Sequence, residues 1–319
     1  MSAERICEEL KGVSCALCGN SPQWEIHRSA RARLNSVTAV VRCSNCGAFF
    51  FVKRLSGFEG AAPTAIAQEE FDSAQRIFSR YPSSDDYGVV KPYRLVHDKG
   101  LLFFDYVEGR NASDLLLELG ADQQIVVLER IGGWLRRFHD ATEPSNGPPD
   151  VQERLESLRA RLENNCPSSG VFSRLLAYLS HELRKIAKTS FQHVGLHGDC
   201  KPENFLFRGM QVIGVDIAWK NRNIAEYDLG QFLAQLALFA HGIWGRRLTG
   251  SVKELEEAFL RGYGVGNPDS VRLINWLKGY YYLSYWLSWR KRGHFQRIFW
   301  DAYFALFLRG FLKDLNEGS

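Results

Sequence analysis

The sequence predicts an α+β protein of two parts, a small antiparallel β-rich part followed by a larger, mainly helical part. Two observations support this prediction: short runs of β-branched and aromatic residues dominate before residue 106, and apolar residues recur three and four positions apart after Ser113. A third observation is that four cysteines form two close pairs near the start of the chain. We therefore expect two domains, 1–108 and 109–319, with a cysteine-bearing segment at 13–55.

Composition limits the class of protein. The chain has 319 residues, of which 45% are hydrophobic and 24% charged, as in an ordinary globular protein. A net charge of +4 permits an anionic ligand such as a nucleotide but does not indicate a nucleic-acid binder. The polar amino end lacks a secretory signal, and no charge-free run of 18 apolar residues occurs, so we expect a cytoplasmic protein without a transmembrane helix.

The first part is expected to hold five strands and one helix. Turn residues separate the predicted strands, and a proline stands at each end of the predicted helix. The strands are 23–28, 37–41, 48–52, 89–96 and 101–106, and the helix begins at Pro63 and stops before Pro82.

In the second part, apolar residues recur with the spacing of an amphipathic helix. Helices are expected at 115–119, 125–139, 151–162 and 172–187, followed by one short strand pair around 195–217. Ser251 and Glu254 form a predicted capping box that begins a further helix at 255–260.

The most informative segment is 197–206, His-Gly-Asp-Cys-Lys-Pro-Glu-Asn-Phe-Leu, which is followed by Asp216 after an apolar run. Phosphoryl transfer needs a group that accepts the substrate hydroxyl proton, oxygen ligands for a metal, and a cation on the phosphates. Asp199 is the candidate for the first role. Asn204 and Asp216 offer the oxygen ligands that Mg²⁺ prefers.

This segment resembles the catalytic loop of the aminoglycoside phosphotransferases and choline kinases, and also that of protein kinases. The resemblance implies a two-lobed protein-kinase-like fold with a small antiparallel β lobe, and a role for Lys201 at the transferred phosphate. It also implies that Lys53 binds the nucleotide phosphates, that Glu70 pairs with Lys53, and that Asp228 braces the loop. In the same resemblance, Tyr106 and Val107 offer backbone groups to the nucleotide base.

Two features refine the resemblance. The turn at 28–36, which would cover the phosphates, contains no glycine, and Arg31 or Arg33 could assist there. Only 11 residues separate Asp216 from Asp228, too few for a peptide-docking segment, and this favours a small acceptor over a protein.

The two cysteine pairs predict a structural metal site. Cys15 with Cys18 and Cys43 with Cys46 each have two intervening residues and a following glycine. Four thiolates at this spacing suit tetrahedral Zn²⁺, and the second pair resembles a zinc-ribbon knuckle. We expect this knuckle to be the turn between strands two and three, so that zinc joins it to the segment before strand one. The alternative is two pairs of ordinary reduced cysteines, the state also expected for Cys7, Cys166 and Cys200.

The acceptor is less clear from the sequence. Aromatic residues recur at helical spacing over 276–289, a pattern more typical of a core than of a ligand surface, although a tryptophan could stack on a sugar. Arg290, Lys291 and Arg292, with His294 and Arg297, indicate either a solvated face or contact with an anionic acceptor or a membrane surface. The last hundred residues are not notably acidic, which favours a neutral or anionic acceptor over a polycationic antibiotic.

Together these features predict an Mg²⁺-dependent small-molecule kinase that transfers the γ-phosphate of ATP, with GTP as the alternative nucleotide, to a hydroxyl of a sugar, amino alcohol or aminoglycoside-like compound. The competing hypothesis is an inactive kinase-like nucleotide sensor or scaffold whose zinc ribbon binds a partner. The glycine-free turn supports this alternative, whereas the intact set of catalytic residues favours the enzyme. The oligomeric state stays open.

Overall fold

The structure, a computed structural model, describes residues 3–32, 36–55, 63–81, 83–163, 170–217, 222–242, 248–290 and 294–317. It divides into two compact units, 1–112 with 203–220 and 113–202 with 221–319. Arg33, Cys166, Lys291 and Arg292, named in the sequence predictions, lie outside the described residues, as do the side chains of Cys7, Arg31 and His294.

The elements follow one another in this order: α1 (Ala3–Leu10), β1 (Trp24–Ala32), β2 (Ser36–Cys43), β3 (Phe49–Leu55), α2 (Pro63–Arg80), β4 (Tyr87–Val89), β5 (Pro92–Val96), β6 (Leu101–Asp105), β7 (Arg110–Asn111), α3 (Ala112–Glu118), α4 (Ala121–Asp140), β8 (Ser145–Gly147), α5 (Val151–Glu163), α6 (Gly170–Ile186), β9 (Phe191–Gly195), β10 (Phe205–Arg208), β11 (Gln211–Gly214), β12 (Arg222–Ile224), α7 (Glu226–Ala240), α8 (Val252–Tyr263), α9 (Pro268–Trp289) and α10 (His294–Glu317). Short 3₁₀ turns lie at His97–Lys99 and Pro202–Asn204.

The first unit is built on a five-stranded antiparallel sheet in the order β1-β2-β3-β6-β5. Successive side chains of a strand point to opposite faces. Phe50 and Val52 therefore pack into the cluster that contains α1, whereas Phe51 and Leu55 pack into the cluster that contains α2. Lys53 stands between Phe51 and Leu55, so its side chain leaves β3 on the α2 face.

Helix α1 is fixed to the sheet by apolar and polar contacts. Its buried residues Ile6 and Leu10 join a core with Trp24 and Phe50. The Lys99 ammonium donates to the carbonyl oxygens of Glu9 at 2.7 Å and Lys11 at 3.1 Å, which are carbonyls at the end of α1. A cation at this position satisfies the carboxyl end of a helix and complements its dipole.

A second sheet completes the first unit, in the order β4-β11-β10-β7, with β4 parallel to β11 and the other pairs antiparallel. The predicted strand 89–96 contains all of β5 and only the last residue of β4, which belongs to the other sheet. Pro92 explains the break, because proline has no N–H and restricts the residue before it. Most of the predicted strand pair around 195–217 is the β10–β11 hairpin, whereas β9 ends at Gly195 and pairs with β8 and β12.

The second unit is mainly helical, as the sequence predicts, and its helices contact one another closely. Helix α8 begins at the predicted cap, where the Ser251 hydroxyl accepts from the Glu254 N–H at 3.2 Å. On α9 the aromatic residues Trp276, Tyr282 and Trp286 are at most 1% exposed, as predicted for side chains of a hydrophobic core. Within the part of the chain that the structure describes, no helix is long and apolar enough to cross a membrane.

Candidate active site

Lys53 forms the centre of an ion-pair network in the first unit. Its ammonium lies 2.8 Å from Glu70 Oε1 on α2 and 2.8 Å from Asp216 Oδ1, which follows β11. Burial alone would lower the pKa of Lys53, but the carboxylates of Asp216 and Glu70 raise it above the ordinary value. The side chain therefore stays positively charged although it is only 14% exposed.

Asn204 and Asp216 lie at the two ends of the β10–β11 hairpin. Asn204 is 2% exposed, and its carbonyl accepts from the Val215 N–H at 3.0 Å, so the two residues are held by one local structure. Asp216 has a φ of 58°, a left-handed conformation that is uncommon for a residue other than glycine and often marks functional sites. The amide and carboxylate oxygens of this pair are hard donors of the type that Mg²⁺ takes.

Asp199 and Lys201 lie in the second unit, on the loop after β9. The Lys201 ammonium contacts Asp199 Oδ2 at 2.5 Å, and the Asp199 side chain is 43% exposed. The intervening Cys200 is fully buried, and burial raises the pKa of its thiol well above the ordinary value. Burial thus favours the protonated form of the thiol, whereas the thiolate is the nucleophilic form.

Asp228 at the start of α7 fixes the backbone of this loop. Its carboxylate accepts from the N–H groups of His197 at 2.6 Å and Gly198 at 3.0 Å, and it pairs with His139 Nε2 at 3.0 Å. Burial opposes the charge, but the hydrogen bond and charge of His139 and the N–H groups lower the pKa of Asp228. The sequence did not single out His139, whose only signal was a histidine at a buried position of a helical pattern.

Tyr106 and Val107 follow β6, where the sequence places the segment for the nucleotide base. The Tyr106 ring lies 6.0 Å from the Phe49 ring and 6.2 Å from the His27 ring, and the Arg28 guanidinium lies 5.5 Å from its centroid. These three neighbours were not identified from the sequence, because their approach depends on strand pairing across 57 or more positions.

The four predicted zinc ligands meet at one point. Cys15 Sγ lies 3.8 Å from Cys46 Sγ, Cys18 Sγ lies 3.8 Å from Cys43 Sγ, and all four sulfur atoms lie within 4.8 Å of one another. A tetrahedron with Zn–S bonds of about 2.3 Å has S···S edges of about 3.8 Å. The sulfur positions therefore fit Zn²⁺.

The cysteine turns have the geometry of metal-binding knuckles. Gly19 and Gly47 each have a φ of 74°, a conformation that glycine adopts at little cost. Each glycine N–H donates to the carbonyl of the first cysteine of its pair, at 3.0 Å to Cys15 and 2.9 Å to Cys43. The second knuckle connects β2 to β3, and the first precedes β1, as the sequence predicts.

Comparison with known protein families identifies the chain. Residues 56–216, slightly more than half of its length, match the phosphotransferase enzyme family. The chain belongs to this family. The match ends at Asp216 and includes Glu70, Asp199 and Asn204. The predicted class of enzyme, a phosphotransferase, is thereby confirmed.

Solved structures confirm the fold class of this phosphotransferase. A choline/ethanolamine kinase family protein from Mesorhizobium loti aligns with a TM-score of 0.64 at 15% identity, covering 97% of this chain and 94% of the other. A glucosamine kinase aligns with a TM-score of 0.61 at 16% identity over 92% and 83%. A choline kinase from Streptococcus pneumoniae aligns with a TM-score of 0.52 at 15% identity over 86% and 89%. No curated protein sequence matches the chain significantly.

Proposed function

We propose that this phosphotransferase moves the γ-phosphate of ATP to a hydroxyl group of a small molecule. The observation that carries the proposal is the Lys53 ammonium held between Glu70 and Asp216 at 2.8 Å in a chain of this family. A positive charge fixed in this way suits a nucleotide phosphate. The structural relatives named above as choline and glucosamine kinases support a small acceptor.

The proposed reaction gives each candidate residue a role. Asp199 orients the acceptor hydroxyl and takes its proton as the oxygen forms a bond to the γ-phosphorus. The bond between that phosphorus and the β–γ bridging oxygen breaks, and ADP leaves with the electron pair. Lys53 holds the α- and β-phosphates, and Lys201 faces the transferred phosphate. Asn204 and Asp216 would hold Mg²⁺, which supplies positive charge to the phosphate oxygens when bound.

We further propose two domains, 1–108 and 109–319. The first would bind the nucleotide and the second the acceptor. The backbone groups of Tyr106 and Val107 would contact the nucleotide base. The reduced cysteine site favours a cytoplasmic protein, because thiolate ligands persist where disulfides do not form. GTP remains the alternative nucleotide for the same phosphate-binding residues.

The test is phosphate transfer from labelled ATP to a panel of sugars, amino alcohols and aminoglycosides. We expect Mg²⁺-dependent transfer that Asp199→Asn lowers by a factor of about 10²–10⁴, the usual contribution of a general base. The folded state and the metal content of the variant should match those of the original protein. A variant that retains its activity would contradict the role of Asp199.

We also propose that the four cysteines hold a structural Zn²⁺. The fit of the S···S distances to a tetrahedral site supports this proposal. The site connects the segment before β1 to the β2–β3 turn, so the bound ion would stabilise the strand that carries Lys53. X-ray fluorescence of the purified protein should show zinc, and its absence would overturn the proposal.

A further inference from the structure

A chain of buried hydrogen bonds runs from the end of α8 to the catalytic loop. The Tyr263 hydroxyl lies 2.9 Å from His139 Nδ1 on α4, and His139 Nε2 lies 3.0 Å from Asp228 Oδ2 on α7. Asp228 in turn accepts from the N–H groups of His197 and Gly198 at the start of the loop. The proposed reaction gives no role to Tyr263, the first member of this chain.

Burial makes each link of the chain depend on the next. His139 is 0% exposed, Asp228 1% and Tyr263 6%. Arg136 covers the Tyr263 ring, with its guanidinium 5.7 Å from the ring centroid. A buried polar group that loses its partner keeps the cost of its desolvation, because water does not replace the lost hydrogen bond.

The chain fixes the orientation of the His139 ring. A carboxylate only accepts hydrogen bonds, so the contact with Asp228 requires a proton on His139 Nε2. Nδ1 then accepts from the Tyr263 hydroxyl when the imidazole is neutral and donates to it when the imidazole is charged, because a phenol can do both. The hydroxyl thus keeps the Nε2–H group on Asp228 in either protonation state.

Two glycines bring Tyr263 within reach of His139. Gly132 stands two helical turns before His139 on α4, and Gly262 precedes Tyr263 at the end of α8. A Cβ atom added at Gly132 would lie 2.7 Å from the Tyr263 nitrogen, and one added at Gly262 would lie 2.0 Å from the Glu129 carbonyl oxygen. The backbones of α4 and α8 therefore approach closely enough for the Tyr263 hydroxyl to contact His139.

We propose that Tyr263 is a positioning residue of the phosphotransferase, which acts through His139 and Asp228 to fix the backbone of the loop that carries Asp199. This inference rests on the proposed phosphate transfer and adds a residue that does not touch the substrates. The Asp199 side chain is 43% exposed, so packing around it contributes little and its position depends on the loop backbone. A small displacement of its carboxylate from the acceptor hydroxyl lowers the rate of transfer.

Tyr263→Phe removes the hydroxyl and keeps the ring. In this variant, Mg²⁺-dependent hydrolysis of ATP, with water as the acceptor, should have a kcat about tenfold lower, the rate change that corresponds to one hydrogen bond. KM for ATP should change by less than about twofold, because Lys53, the proposed phosphate-binding residue, belongs to the other unit.

Hydrogen exchange provides a measurement that does not depend on activity. The amides of His197 and Gly198 donate to Asp228, so in Tyr263→Phe they should exchange about tenfold faster. Unchanged exchange at both amides would overturn the inference.

Tyr227→Phe is the matched control. Tyr227 is 2% exposed and precedes Asp228 on α7, but its hydroxyl donates to Asp150, outside the chain. Both substitutions remove a buried tyrosine hydroxyl, so the two variants should show a similar fall in Tm. In Tyr227→Phe, kcat and the exchange of the loop amides should stay within about twofold of the original values. Equal losses of kcat in the two variants would indicate a general effect of lower stability and refute the positioning role.

A third variant tests whether Tyr263 acts through the imidazole. His139→Asn has a shorter side chain, which reaches the position of Nδ1 but not that of Nε2, so the link to Asp228 is broken. Adding Tyr263→Phe to His139→Asn should then lower kcat by less than about twofold. The ¹⁵N resonance of His139 Nδ1 should shift in Tyr263→Phe and stay unchanged in Tyr227→Phe. A further tenfold loss of kcat in the double variant would mean that Tyr263 acts by another route, contrary to the proposal.

The outcomes separate this inference from the proposed function. An original protein that does not turn over ATP would contradict the proposed function, and the exchange of the loop amides in Tyr263→Phe would then decide the inference. ATP turnover that Asp199→Asn abolishes and Tyr263→Phe leaves unchanged would support the proposed function and overturn the inference.

Discussion

At the scale of single residues, the charge of the buried Lys53 side chain depends on the carboxylates beside it. Lys53 stays charged while buried because Glu70 and Asp216 each approach it at 2.8 Å. Two carboxylates around one ammonium leave a net negative charge, which suits a site that also takes a divalent cation. The sequence predicted the Lys53–Glu70 pair, and the contact with Asp216, 163 positions away, adds to it.

Replacing Lys53 with Gln tests its role. We expect kcat/KM for ATP to fall by a factor of about 10²–10³, because the phosphates lose a preorganised positive charge. Arg54→Gln is the control, since Arg54 is the next residue on β3 but pairs with Glu9 at 2.5 Å. Steady-state kinetics with varied ATP would measure both variants, and equal losses in the two would contradict a specific role of Lys53.

Asp228 predicts a dependence of stability on pH. Its pKa in the folded protein is below the ordinary 3.8, so the charged carboxylate stabilises the fold fully above that value. This stabilisation is lost as the pH falls from there through the lowered pKa. Asp228→Asn should lower the free energy of unfolding at neutral pH by about 2–3 kcal/mol. In the variant this free energy should also change less with pH in the acid range.

Asp140→Asn serves as the control for this measurement. Asp140 pairs with Arg136 at 2.9 Å on the surface of α4, with its side chain 48% exposed. Its replacement should change the free energy of unfolding by less than about 1 kcal/mol. Urea unfolding at a series of pH values would distinguish the two variants, and an unchanged acid slope in Asp228→Asn would count against the assignment.

At the scale of elements, glycine decides how closely two helices approach. A Cβ atom added at Gly262 of α8 would lie 2.0 Å from the Glu129 carbonyl oxygen of α4, and one added at Gly132 of α4 would lie 2.2 Å from the Phe259 carbonyl oxygen. Both distances are shorter than van der Waals contact, so α4 and α8 can pack in this way only without side chains at these positions.

Gly262→Ala should therefore destabilise the protein by about 3 kcal/mol or more, because the added Cβ would meet backbone atoms of α4, which cannot move as a flexible side chain can. Gly310→Ala, also within a helix but with open space around the added carbon, should stabilise the protein by about 0.5–1 kcal/mol. Thermal unfolding of the two variants tests the pair, and a Gly262→Ala variant as stable as the original would refute the close approach.

The differences between the predicted and the observed strands also belong to this scale. The strand predicted at 89–96 is interrupted, because Val89 ends β4, which pairs with β11 from a distant part of the chain, whereas Pro92 begins β5, which pairs with β6. Strand β9, which pairs with β8 and β12, was not predicted apart from its last residue, Gly195. Periodicity shows that a segment is extended, whereas its partner depends on contacts between remote segments.

At the scale of the whole molecule, the proposed catalytic residues divide between the two units. Lys53, Asn204 and Asp216 belong to the first unit, and Asp199 and Lys201 belong to the second. The cysteine site lies in the first unit, which joins α1, the knuckles and the strand of Lys53 in one apolar core. Loss of a structural metal should therefore affect the first unit before the second.

Treatment with a chelator, which would remove the proposed zinc, tests this expectation. We expect faster hydrogen exchange in β1, β2 and β3 and a higher KM for ATP, because β3 carries Lys53. Exchange in α4 and α8 is the internal control and should change little. Cys43→Ser should reproduce the effect of the chelator, and equal acceleration throughout both units would contradict a local role of the metal.

The sequence by itself indicated the candidate residues of the proposed site, their order, the four cysteines and the change from strand to helix near residue 113, because these depend on residue type and local spacing. Only the tertiary structure decided that Asp216 reaches Lys53, that His139 supports Asp228, and that four sulfur atoms meet within 4.8 Å. The physical reason is that these contacts join residues tens to hundreds of positions apart, and their distances depend on how strands pair and helices pack.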